Sequence, residues 1–212
     1  MNTKNLFLLS GLIASLGSIL AVRVTAQTFT TLHSFTPLIP VFTNSAGTVR
    51  HDNSDGAHPD ADLILSGNTL YGTGWDGGSS NAGTVFKINT DGSGFAILHK
   101  FTARSEQAGA NYSNSDGAKP DGVLVLSGNT LYGTAARGGS FGYGALFAVN
   151  TDGTGFTNLH HFTAPDPLAE TNADGASPYG GLILSGNTLY GTAISGGSWG
   201  AGTVFKVNTS GS

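Results

Sequence analysis

Leu65-Ser66-Gly67-Asn68-Thr69-Leu70-Tyr71-Gly72-Thr73 decides the fold, because the same nine residues return unaltered at Leu126–Thr134 and Leu184–Thr192. An interval of about 60 residues, kept across the chain, marks an array of one supersecondary unit. Within the string, Gly67-Asn68 is a two-residue hairpin signal between apolar stretches. It places strand a at Leu63–Leu65 and strand b at Thr69–Thr73. A glycine-rich stretch follows each copy. Then comes Thr84-Val85-Phe86-Lys87-Ile88-Asn89, Ala145–Asn150 or Thr203–Asn208, each rich in β-branched and aromatic residues and so read as a strand, with strand c of the first unit at Val85–Asn89. Asp91-Gly92 is a second hairpin signal, leading to strand d over Phe95–Phe101. There Phe95, Ile97, His99 and Phe101 share one face by the period of two, as do Phe156, Asn158, His160 and Phe162.

The expected fold is therefore all-β, a propeller-like array of four-stranded antiparallel blades. The units run over about 55–102, 116–163 and 174–212. Residues 28–36 resemble a strand d with no a, b or c before them, while the third unit stops where its strand d should begin. In a closed ring, residues 28–36 would complete the last unit and remove two open edges. Three blades are fewer than propellers usually have, so an open arc, a piece of a longer array and a ring completed by two chains all remain open.

Composition agrees. Glycine supplies 33 of 212 residues, about twice the usual share, which favours short strands and tight turns. The net charge of −4 with 10% charged residues leaves no basic face for nucleic acid. With no cysteine there are no disulfides and no thiolate metal sites. Residues 1–26 read as a signal peptide: Lys4 begins it, Leu6 to Val22 are largely apolar, and Val24-Thr25-Ala26 carries small residues ahead of Gln27. Serines and glycines interrupt the apolar run, which argues against a membrane anchor, and no later segment is apolar enough to span a bilayer. The expected address is secreted or extracellular, including the cell surface.

The succession of Asp-Gly-Ala-x-Pro, Leu-Ile-Leu-Ser-Gly-Asn-Thr-Leu-Tyr-Gly-Thr, a Gly-Gly loop, Gly-Thr-Val-Phe-Lys-Val-Asn-Thr-Asp-Gly-Ser-Gly-Phe and Leu-His-x-Phe-Thr resembles the GloVer-type tandem repeat of bacterial choice-of-anchor proteins. The resemblance covers essentially all of residues 27–212. It implies an exported, surface-associated, propeller-like protein with no assigned enzymatic activity and no catalytic residues to carry over. No C-terminal sorting segment of that family follows the third unit, which favours simple secretion or a truncated array.

Alternating strands put the b–c and d–a connections on one rim, where the long, variable loops lie and where binding residues accumulate on rigid scaffolds. Each d–a loop carries an Asn-x-Asp-Gly element: Asn53 and Asp55, Asn114 and Asp116, Asn172 and Asp174. These oxygens suit calcium, although the same pattern is an ordinary Asx turn and the distal Glu of an EF-hand loop is absent. The b–c loops present Trp75, Phe141, Tyr143 and Trp199, rings that stack on sugars when exposed or close the core between blades when buried. His33, His99 and His160 repeat in every unit, which points to packing rather than to a metal ring. No GxSxG is present, and Gly138–Gly144 opens no helix, so neither a serine hydrolase nor a phosphate loop is indicated. Asp60, Asp62 and Asp121 flank the same rim as possible paired carboxylates.

The leading expectation is a secreted scaffold, without cofactor unless calcium, that binds a polysaccharide, a cell-surface component or a protein. The alternatives are a polysaccharide-active enzyme and a structural array that self-associates through blade edges.

Overall fold

A computed structural model describes residues 28–43, 49–105 and 112–211, so the leader expected over residues 1–26 lies outside the described residues. The chain divides into two units, Met1–Thr30 and Thr31–Ser212, and every described strand belongs to the second. That unit is all-β, with no helix among the described residues and so none long and apolar enough to cross a membrane.

A short hairpin of β1 (Ile39–Thr43) and β2 (Val49–Asp52) comes first. Each repeat then forms its own antiparallel sheet. The first is β3 (Ile64–Ser66), β4 (Thr69–Gly74), β5 (Thr84–Asn89) and β6 (Ala96–Lys100), paired in chain order. The second holds β7 (Ala118–Pro120), β8 (Val125–Ser127), β9 (Thr130–Arg137), β10 (Ala145–Asn150) and β11 (Thr157–His161), with both β7 and β8 on β9. The third is β12 (Ile183–Ser185), β13 (Thr188–Ala193) and β14 (Thr203–Asn208). The a–b turns are two-residue hairpins that pair Ser66 with Thr69, and Gly67 takes the left-handed φ of +57° that this turn demands.

Two points differ from the sequence reading. Residues 28–38 form no strand, and Thr31–Thr36 do not complete the last sheet. They lie against the first one instead: the His33 ring stacks on Phe95 at 3.7 Å and Phe35 meets Phe86 at 5.3 Å. In the next repeat His99 stacks on Phe156 at 3.6 Å, so the segment holds toward the first sheet the place that β6 holds toward the second. Among the described residues no strand pairs with β14 on the side away from β13. A cleft of about 310 Å³ opens there, lined by Leu146, His160, Phe162 and the β14 side chains.

The core sits between consecutive sheets. Tyr71, Val85, Leu98 and Phe101 of the first repeat pack with Leu124, Leu131, Phe147 and Val149 of the second. Tyr132, Leu146, Ala148 and Phe162 of the second pack with Leu182, Leu189 and Ala193 of the third. No single sheet buries both its faces alone, so each repeat borrows its core from the next.

The join is close where a b–c loop meets the following d–a loop. A Cβ at Gly144, whose φ is +105°, would stand 2.5 Å from Pro178 Cδ. Gly144→Ala is expected to destabilise by about 2–3 kcal/mol through strain and clash. Gly128→Ala, at φ +58° with nothing near its Cβ, should cost about 1 kcal/mol, and urea midpoints separate the two.

Candidate functional site

Two kinds of polar structure lie where the d–a and b–c loops meet. One is the same in every repeat; the other is unique.

The repeated structure is a clasp. Asp55 Oδ2 accepts from the Thr36 amide at 3.0 Å and faces His33 Nε2 at 3.2 Å, while the Thr36 hydroxyl donates to Oδ1. Asp116 does the same with Thr102 and His99, and Asp174 with Thr163 and His160. Beside each, the asparagine uses its whole amide. Asn114 donates to the Thr102 and Gly117 carbonyls at 2.9 and 2.6 Å and accepts from the Gly117 and Gly139 amides at 3.0 and 2.8 Å. Asn53 and Asn172 repeat this. All six residues considered for calcium are thus engaged within the fold: Asn53 and Asp55 tie the leading segment at Thr36 to the first repeat, and the other four tie the end of one repeat to the start of the next. Among the described residues no group of three or more His, Asp or Glu side chains forms a metal-binding cluster.

The clasp titrates. Burial disfavours the ionised forms of Asp55 and Asp174, but hydrogen bonds from threonine and histidine outweigh it and hold both carboxyls below their ordinary value. A depressed carboxylate contributes stability that is complete above the unfolded pKa, about 4, and drains away as pH falls through the folded value. His161, pushed down by burial and then by His160, adds an earlier loss that begins near 6.5. Urea midpoints should decline gently below that pH and steeply below about 4. The gap between the chain and Asp174→Asn should close at the acid end.

The unique structure arises from the same backbone positions. In each repeat an alanine of the d–a loop bridges a b–c residue: Ala57 with Asp76, Ala118 with Arg137, Ala176 with Ser195. The residue after each alanine is His58, Lys119 or Ser177, at φ of 51°, 58° and 56°, a region that non-glycine residues seldom occupy. The frame repeats while its side chains do not. His58 Nδ1 lies 2.9 Å from Asp76 Oδ2. Lys119 crosses from the second repeat to Asp76 Oδ1 and to the Asn81 carbonyl at 2.9 Å. Tyr179 of the third repeat stacks on Trp75 of the first at 5.7 Å, and Arg137 donates to its hydroxyl at 3.3 Å. Lys119 also stands 6.0 Å over the Trp75 ring. All three repeats thus meet here.

The electrostatics are lopsided. Burial pushes the Lys119 ammonium down, Arg104 and Arg137 push it further, and Asp76 pulls it back up. Arg104 is lowered by burial and then by Arg137. Close by on the d–a loops, Asp121 is raised by burial and then by repulsion from Asp60.

Of the four aromatics singled out in the b–c loops, Trp75 belongs to this cluster. Phe141 and Trp199 occupy another loop position and point to solvent, 47% and 91% exposed. Tyr143 is half-buried against the second core and its carbonyl accepts from Ser177. Sequence reasoning passed over Lys119, Arg137 and Tyr179. Aligning the repeats reveals Lys119 and Arg137, because 58/119/177 varies between an unvarying Ala and Pro and 76/137/195 varies ahead of an unvarying Gly, while Tyr179 stands where the other repeats have Asp60 and Asp121.

Known proteins place the chain. No curated protein matches it. A structure titled "Crystal structure of Nidogen/Laminin Complex" is similar over 66% of this chain and 39% of that one, at 16% identity and a TM-score of 0.39, so this chain spans well under half of that chain's length. The Gloeobacter/Verrucomicrobia repeat matches residues 107–212, half of the sequence, and the first repeat carries the same nine-residue string; the chain belongs to the Gloeobacter/Verrucomicrobia repeat family.

Proposed function

We propose that the chain is an exported, propeller-like scaffold that binds a glycan through the rim where Trp75, Lys119, Arg137 and Tyr179 meet. One observation carries this reading: the repeats keep their strands, turns and clasps but place different side chains at two loop positions, 58/119/177 and 76/137/195, around a bridge made by the same alanine in each. Selection for stability alone gives every repeat the same solution, whereas a ligand needs donors and rings of different kinds at one point. The leader-like residues 1–26 support export.

Affinity electrophoresis through gels containing neutral and acidic polysaccharides tests the proposal. Retardation in at least one gel is expected, and it should persist with a chelator because the Asn-x-Asp-Gly oxygens are engaged in the clasps. Free migration in every gel would end the reading.

A second reading, polysaccharide cleavage, has one observation in its favour: the raised Asp121 beside Asp60 is a pattern used for general acids. New reducing ends that disappear in Asp121→Asn would establish it; their absence across the same polysaccharides would dismiss it.

A further inference from the structure

We infer that the ligand of this rim is a polysaccharide bearing carboxylates, held by Arg137 beside the Trp75–Tyr179 pair, with Arg104 adding to the positive charge there. The inference rests on the glycan-binding reading above and adds the charge of the sugar.

The argument starts from a charge that the fold does not explain. The chain has a net charge of −4 and only nine Lys and Arg residues, yet three of them, Arg104, Lys119 and Arg137, lie close enough to repel one another. Asp76 attracts both Arg104 and Lys119, but its oxygens are hydrogen-bonded elsewhere, Oδ1 accepting from Lys119 and Oδ2 facing His58. Arg137 is exposed and donates to the neutral Tyr179 hydroxyl. Arg104 lies over the Tyr112 ring at 5.3 Å. Among the described residues neither guanidinium is paired with a carboxylate. Gathering like charges costs energy unless an anion joins them, and a guanidinium fork matches the two oxygens of a carboxylate.

A sugar fits better than other anions. Trp75 and Tyr179 set an apolar, partly exposed surface directly beside the guanidinium, the pairing that a ring with one charged and several hydroxyl groups can use. Phe141 and Trp199, exposed at the same loop position of successive repeats, offer further rings to an extended chain.

The test measures binding of the chain to polygalacturonate and to fully methyl-esterified polygalacturonate, which has the same backbone without the charge. Wild type, Arg137→Gln and Arg104→Gln are compared, with thermal melts to show that each variant is folded. Polygalacturonate is expected to bind, the ester to bind at least tenfold more weakly, and Arg137→Gln to lose about tenfold to a hundredfold, since a hydrogen bond to a charged group is worth that much, with a smaller loss for Arg104→Gln. Equal binding of the ester, or full binding by both variants, overturns the charge and leaves a neutral-glycan scaffold. Equal binding of polyglutamate or single-stranded DNA at matched charge overturns the sugar. Failure of every polysaccharide overturns the glycan-binding reading itself.

Discussion

Phe147→Ala should lower the unfolding free energy by about 3–5 kcal/mol, the largest single-residue loss expected in this chain. Phe147 is fully buried on β10, and its ring meets Phe101 at 5.3 Å and Phe156 at 5.8 Å. Phe101 belongs to the first repeat and the other two to the second, so the substitution hollows the junction and not one sheet alone. The equivalent Phe205 on β14 is half-buried and meets Phe162 at 5.3 Å, without a second phenylalanine from its own repeat. Phe205→Ala should therefore cost about half as much. Urea titrations of both variants check this, and equal costs would mean that the third repeat is as well covered as the second.

Asp116→Ala should be nearly as damaging, at about 3 kcal/mol or more. The Asp116 side chain is 8% exposed and accepts from the Thr102 amide and hydroxyl while facing His99 at 3.0 Å. Alanine would strand all three donors between repeats. The same substitution at Asp174, 21% exposed, should cost less because water can reach the orphaned groups. Asp116→Asn, which retains the shape but loses the charge, should fall between wild type and alanine.

The strand plan was legible because it follows from side chains that repeat. The sequence places strands a to d at Leu63–Leu65, Thr69–Thr73, Val85–Asn89 and Phe95–Phe101, and the first sheet has them at Ile64–Ser66, Thr69–Gly74, Thr84–Asn89 and Ala96–Lys100. Alternation and Gly-Asn turns are local signals, so one sequence is enough to read them. The place of residues 28–36 was not legible. Their pattern is that of strand d, but pairing needs an available edge, and the pattern does not say which edge is within reach. Of the histidines read as packing residues, His33 and His99 stack on phenylalanines, His160 meets Phe162 edge-on, and all three are paired to aspartate.

The rim was half visible. Aromatic residue types drew attention to Trp75, whereas Lys119 and Arg137 were hidden by a low overall cation content. Their meaning comes from contacts between repeats that are 43 positions apart in sequence for Lys119 and Asp76 and 42 for Arg137 and Tyr179. Only the fold brings such residues together.

Hydrogen exchange of the chain with and without saturating polygalacturonate tests the central claim most directly, because it reports where a ligand sits without presupposing which residue holds it. The account predicts that added protection falls on the loops carrying Trp75, Lys119, Arg137 and Tyr179, and that the Asp91-Gly92 and Asp152-Gly153 turns on the opposite rim exchange as before. Protection centred on those turns, or no protection anywhere, would contradict it.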